Sequence, residues 1–398
     1  MKKQLFLSLG ILSFLAVATV LVIIYGEGYR FGFGNGRPEV LGTGLLVATS
    51  TPDGAQVFIN DHLTTATNNT INLFPGTYTV RIFKDGYFPW QKKIVVQKEV
   101  VAKAEALLFP TTPKLESITQ TGVINPVMDP SMTKIAFTVA SQSARKNGIY
   151  VFDVGNHSLI SLSGGITQIT DDTVDTFSQA QLSWSPDGKN LLATVSAAAK
   201  TPTTYLLDAT GFNATPKDVS ETLATVNDSW NKLTATQTKA QMDALKKPLA
   251  AFLSTHTKIL ALSPDETKIL YMATDSAALS QIIKPALIGT DSTPEERNVQ
   301  PGTVYVYDIK EDKNFAIAQQ KDGILPQLMW YPDSMHLIFA HDKRIDMMEY
   351  DGGNDTIIYA GPFTQQYVFP DPTGASIIVL TNLNNPDIQP NLYTISLR

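Results

Sequence analysis

The side chains best able to do chemistry are carboxylates. Two tight clusters stand out, "DDTVD" (171–175) and "DGGND" (351–355), and three more acids recur at Pro-Asp positions: Asp187, Asp265 and Asp333. Clustered carboxylates in loops suit calcium, which takes oxygen ligands in flexible geometry. Neither cluster has EF-hand spacing, and "DGGND" falls where a hairpin turn is expected, so no metal is expected. Paired carboxylates also serve glycan cleavage, which keeps a carboxylate-dependent hydrolase or lyase open as the alternative reading. Nucleophile motifs are missing: there is no GxSxG elbow and no HExxH. The SxxK pattern occurs at Ser131–Lys134, Ser143–Lys146 and Ser229–Lys232, too often in one chain to be informative. His336 and His341 are separated by an odd number of residues, which on one strand turns them to opposite faces. With no cysteine in the chain, disulfides, thiolate zinc sites and thiol nucleophiles are excluded. The expectation is a protein that is not an enzyme and holds no cofactor.

The elements that would position these residues belong to a chain of 398 residues, long enough for two or three domains. Hydrophobic residues make up 43% and charged residues 17%, so a sizeable core lies under a lightly charged surface. A net charge of −6 gives no basic face for nucleic acid.

After Lys2 and Lys3 comes "LFLSLGILSFLAVATVLVII" (5–24), without a charge. Twenty residues of helix reach about 30 Å, the thickness of a bilayer core, and the lysines before it favour a cytoplasmic N-terminus. The run predicts an uncleaved signal anchor (residues 1–25) in contact with the lipid bilayer, favoured over a cleaved signal peptide because the small-residue run "AVA" (16–18) lies in its middle, making a single-pass membrane protein whose residues 26–398 are extracytoplasmic. In "YGEGYRFGFGNG" (25–36) neither the dinucleotide nor the Walker spacing occurs. Tyr25, Tyr29, Phe31 and Phe33 read instead as an interfacial aromatic belt in a linker, 26–43.

From Gly44 the chain alternates in short runs, "LLVATS", "AQVFIND", "NTINL", "TYTVRIF", "QKKIVVQ" and "VAKAEALLF", separated by turn signals. No helix-period stretch intervenes, so 44–110 predicts a small β-sandwich. Its first turn is Pro52-Asp53-Gly54-Ala55, where proline presets φ and glycine supplies the positive φ of a tight reversal. "GYFPW" gathers Tyr87, Phe88 and Trp90, a candidate binding surface, although alternation turns Phe88 and Trp90 to one face and core packing is the plainer role. "STPDGAQVFIND", "LFPGTYTVRI" and "KDGYFPWQKKIVV" together resemble the PEGA domain. Asp53 stands where that family's name-giving motif has glutamate, and Asn60-Asp61 where Asn-Gly is usual. The resemblance implies a β-sandwich and a cell-envelope setting, without catalytic residues.

Residues 111–398 repeat. "LSWSPDGKNLLATV" (182–195) is echoed by "LALSPDETKILYMA" (260–273) and "LMWYPDSMHLIFAH" (328–341), with looser copies at 125–140 and 366–381. Each is a strand, a Pro-Asp turn and a second strand, followed downstream by a third. The turn residues are Pro186, Asp187 and Gly188; Pro264 and Asp265; Pro332 and Asp333. Pro332 and Pro370 lie 38 residues apart, and the wider intervals shrink to about 40 once loop-like inserts are removed, the size of a propeller blade. The units resemble the Pro-Asp variant of WD-type repeats in TolB-like β-propellers. Five blades are expected, with six open if a degenerate unit lies in an insert. The segment "PKLESITQT" (113–121) has no other partner and is expected to complete the last blade, because closure removes exposed edges.

Residues 218–255 differ. Leu223, Val226, Trp230, Met242, Leu245 and Phe252 fall at helical spacing, and "TATQTK" reads as the link of a helical hairpin packed on the propeller. The overall expectation is a mainly β protein: anchor, sandwich, then a propeller with a helical insertion. Its expected role is recognition or scaffolding in the cell envelope through an envelope protein or glycan. The ectodomain of a sensor is a third reading.

Overall fold

The computed structural model describes residues 2–26, 29–34, 37–155, 165–196, 201–320, 327–364 and 366–398, with the side chains of 2–8, 24, 29–34 and 37–41 outside the description. The chain falls into two compact units, residues 1–109 with 283–294, and residues 110–282 with 295–398.

In the first unit α1 spans Lys2–Gly26. It corrects the expected bilayer span at 5–24. Among the described residues no helix is long and apolar enough to cross a membrane. The single-pass placement built on that span falls with it. The belt expected from Tyr29, Phe31 and Phe33 lies on side chains outside the described residues; their backbone belongs to a hairpin of β1 (Tyr29–Gly34) and β2 (Arg37–Gly42).

The sandwich has two sheets. One orders β3 (Gly44–Thr51) between β6 (Asn69–Leu73) and β9 (Val101–Leu107), with β3 and β9 parallel. The other orders β5 (His62–Ala66), β4 (Gln56–Ile59), β7 (Gly76–Phe83) and β8 (Trp90–Val96). Period-2 alternation explains the core. In β9, Ala102, Ala104 and Ala106 are buried while Lys103 and Glu105 face water, and in β3 Leu46 and Ala48 are buried. They pack against Val57, Val80, Ile82 and Ile94, each worth about 1.5–3 kcal/mol of burial.

Among the described residues the second unit contains five four-stranded antiparallel sheets. The first four are each drawn in order from one stretch of chain, beginning at Ile124, Gln181, Thr257 and Leu328. The fifth joins Val368–Pro370, Ser376–Thr381 and Asn391–Ser396 to Leu115–Ser117, which pairs with the final strand as Leu115↔Ile395. Inner strands are buried on both faces, as in "SIIVLT" (376–381), and first and last strands are less so. Apolar clusters run from sheet to sheet: Ile135 and Phe137 with Ile378 and Leu392, Ala136 and Ile149 with Leu191 and Ala193, and Leu270 and Val306 with Leu337 and Met348.

The insertion differs from the expected hairpin. α2 runs unbroken through "TATQTK" from Leu223 to Ala244 with no buried residue, and α3 (Lys247–His256) carries the buried Leu249, Phe252 and Leu253. Alanine, lysine and glutamine favour helix as much as a link, so the polar stretch continued rather than ended it.

Candidate functional site

In the second, third and fourth sheets of the second unit the first strand turns into the next through Pro-Asp (Pro186-Asp187, Pro264-Asp265, Pro332-Asp333), in the first and fifth through Asp-Pro (Asp129-Pro130, Asp371-Pro372), and all five turns use one backbone device. The residue that closes the reversal has positive φ: Met132 (57°), Gly188 (66°), Glu266 (56°), Ser334 (61°) and Gly374 (64°). The turn carboxylates hold the loop from inside. Asp187 Oδ1 accepts from Ser185 Oγ (2.6 Å) and the Lys189 amide (3.2 Å). Asp265 accepts from Ser263 Oγ (2.7 Å) and Thr267, and Asp333 from the Met335 amide (2.8 Å) and His336 Nδ1 (2.6 Å). In the first sheet Asp129 takes this role, accepting from Thr133 and Lys134 amides and from Ser131. Burial pushes Asp265 upward in pKa, but the Ser263 and Thr267 donors outweigh it and hold it at about 2; burial likewise opposes His336 at Asp333, which still ends below the usual carboxylate range. At Asp187 the Ser185 bond lowers the pKa.

The turns also touch one another. The Asp265 amide donates to Ser334 Oγ (3.0 Å) and Tyr331 OH to the Gly374 carbonyl, while Trp184 Nε1 donates to the Val127 carbonyl (3.0 Å) from strand to strand. Beside them lies a cavity of about 570 Å³, bounded by Pro130–Met132 of the first turn, Ser263, Pro264 and Glu266 of the third, strand residues 259–262, and Thr238, Gln241, Met242 and Leu245 of the insertion. Gln241 Nε2 donates to Glu266 Oε1 (3.0 Å) across its rim. Glu266 is the one carboxylate in this lining. Sequence reading had both parts, the repeated turn and the Met242–Leu245 stripe, and no signal that they meet.

The other expected candidates are placed apart. Trp90 is 4% exposed in the sandwich core, and Tyr87 packs half-buried against it. Phe88 is half-buried, and its amide donates to the Phe109 carbonyl (2.9 Å). Asp171 accepts from Thr173, Asp172 from Ser178 and Asp175 from Tyr205 OH; Asp351 accepts from the Gly353 amide. Among the described residues no group of three His, Asp or Glu is arranged to hold a metal ion. His336 and His341 have separate partners, and His341 Nε2 lies 2.5 Å from Asp346 Oδ2. Among the described residues Asp346 Oδ1 is buried without a hydrogen-bond partner, and Asp355 beside it is raised in pKa by burial and by the Asp346 charge. Sequence reading missed this cluster, because His341 and Asp346 meet only through strand pairing.

Comparison with known proteins gives a family for residues 43–111 and structural neighbours for the chain. No curated protein matches the chain. Solved structures similar to it include a putative TolB from Agrobacterium tumefaciens, 14% identical, with 69% of this chain and 72% of that one covered at a TM-score of 0.21. TolB from Acinetobacter baumannii is 15% identical, covering 80% and 60% at 0.20. The β-propeller domain of Cps50 (Swd1) from Myceliophteria thermophila is 11% identical, covering 72% and 100% at 0.27. The neighbours are thus TolB-like and other β-propellers, and residues 43–111, which match the PEGA domain family, are a PEGA domain.

Proposed function

We propose that this chain is a non-catalytic, envelope-associated recognition protein that engages a protein partner through its second unit. In this reading the five sheets are five propeller blades, the fifth closed by Leu115–Ser117. The observation that carries it is the cavity beside the turns. Met242, Leu245, Ile259, Leu260 and Ile269 give it apolar walls, with a few polar groups at the rim, the usual character of a binding site. Glycan cleavage asks for two carboxylates facing one bond. Here the repeat acids are held in turn hydrogen bonds and Glu266 stands without a second carboxylate in the lining.

A photo-crosslinking residue at Gln241 tests the reading. A defined protein should be captured by the native chain and lost when Met242 and Leu245 are both changed to Asp, with melting unchanged. Capture that survives those changes counts against the cavity. Depolymerisation of an envelope glycan that is abolished by Glu266→Gln would replace recognition with catalysis.

A further inference from the structure

Among the described residues strand β8 is an edge strand: it pairs with β7 on one side, and the sheet ends there. Its alternation buries Trp90, Ile94 and Val96, and Lys92 occupies the same face between them, its side chain only 17% exposed. An inward-facing charge on an edge strand discourages pairing with other chains, but a buried ammonium needs a carboxylate. That carboxylate comes from far along the sequence. Residues 283–294 belong to the first unit, and within it Asp291 Oδ2 lies 3.0 Å from Lys92 Nζ, with the Asp291 side chain 8% exposed. One residue on, Ser292 Oγ accepts the Val95 amide of β8 (2.9 Å), a donor on the side of the strand away from β7. The Thr293 amide donates to Asp291 Oδ1 (2.8 Å) and fixes the carboxylate. Gly289, at φ +70°, passes so close to β9's approach that an added Cβ would sit 2.6 Å from Val100 Cγ1. Burial opposes ionisation of Asp291, yet the Lys92 charge together with hydrogen bonds from Thr293 and Lys92 keeps its pKa below the usual carboxylate range.

We propose that residues 283–294 are a strap that closes the free edge of the PEGA sandwich, Asp291 binding Lys92 and Ser292 binding the Val95 amide, and so block strand pairing at that edge by a second copy of this chain. Charge, edge amide and close approach are three separate contacts, all on β8 or the turn that follows it.

The experiment is amide hydrogen exchange on the full chain, with the strand 376–381 as internal reference. Ser292→Ala should speed exchange of the Val95 amide about tenfold, and Gly289→Val, which lifts the strap by its close approach, should speed exchange across 92–96. Both should raise the dimer fraction above that of the native chain at equal concentration. The pair Lys92→Met and Asp291→Leu gives a second measurement: each single change should lower the melting temperature of the first unit more than the double change does. Unchanged exchange at 92–96 in both strap variants overturns the proposal. So does a dimer fraction equal to the native one, or a double variant whose loss equals the sum of the singles.

Discussion

The tripeptide Pro-Asp-Gly occurs at 52–54 in the sandwich and at 186–188 in the second sheet of the second unit, and the two turns are stitched differently. The backbone is shared: Gly54 has φ +70° and Gly188 φ +66°. In the sandwich the bonds come from outside the tripeptide. Ser50 Oγ donates to the Pro52 carbonyl (2.7 Å), the Ala55 amide to Thr67 Oγ1 (2.9 Å), and Lys84 Nζ to the Asp53 carbonyl (2.7 Å). In the sheet turn the Asp187 carboxylate itself is the stitch, clasped by Ser185 and Lys189. Proline and glycine therefore set the reversal in both places; what differs is the aspartate, whose carboxylate is bonded at Asp187 and whose backbone carbonyl is bonded at Asp53.

The glycines should part the two turns most. Adding a Cβ at Gly188 puts it 2.9 Å from Asp129 Oδ2, a carboxylate already committed to the neighbouring turn, whereas at Gly54 the nearest atom is Lys84 Nζ at 3.6 Å. Positive φ alone costs a residue with a side chain about 1 kcal/mol. Gly188→Ala is expected to cost about 2–3 kcal/mol and Gly54→Ala about 1 kcal/mol in denaturant unfolding of each unit; equal losses would show that the turns pack alike.

The aspartates come next. Asp187→Ala removes two turn bonds and should cost about 1 kcal/mol, while Asp53→Ala keeps the backbone carbonyl that Lys84 binds and should stay within about 0.5 kcal/mol of the native value. A loss at Asp53 matching that at Asp187, read by the same unfolding curves, breaks the distinction.

The smallest effect is on acid stability. Asp187, Asp265 and Asp333 have folded pKa values lowered from the ordinary 3.8, Asp265 to about 2. Their contribution is complete above the unfolded value and is lost as pH falls through the folded ones. Melting of the second unit should therefore drop between pH 4 and pH 2, and Asp265→Asn should shallow that drop slightly; an unchanged slope argues against the turn carboxylate as its source.

Much of this was legible in the sequence because it rests on local chemistry. Strand alternation in 44–110 and the recurrent Pro-Asp turn report side-chain period and backbone sterics, which neighbours in the chain determine. The pairing of 115–117 with the final strand was readable by elimination, since an unpaired edge needs a partner. What failed depended on distant parts of the chain or on hydropathy taken by itself. The apolar run before Tyr25 was read from hydropathy alone. The polar stretch of α2 was read as a link because nothing local ends or continues a helix there. The meeting of Met242 and Leu245 with the turns of the first and third sheets, and of His341 with Asp346, arises only when the sheets are assembled. Nothing local marks Lys92, because the carboxylate that meets it lies 199 residues away.

The join in the fifth sheet sets a timetable for synthesis. Thr119 and Asn391, 272 residues apart, share a buried hydrogen bond of 3.0 Å at that join. Translation at roughly 5–20 residues per second separates the two partners by roughly 15–55 s. For that interval Leu115–Ser117 has been made while the strand it pairs with has not, and four sheets can form around an open seam. A nascent chain therefore presents a waiting edge to chaperones, proteases and neighbouring nascent copies. A ribosome that stalls before residue 391 leaves a product whose earlier sheets are intact and whose ends have nothing to hold.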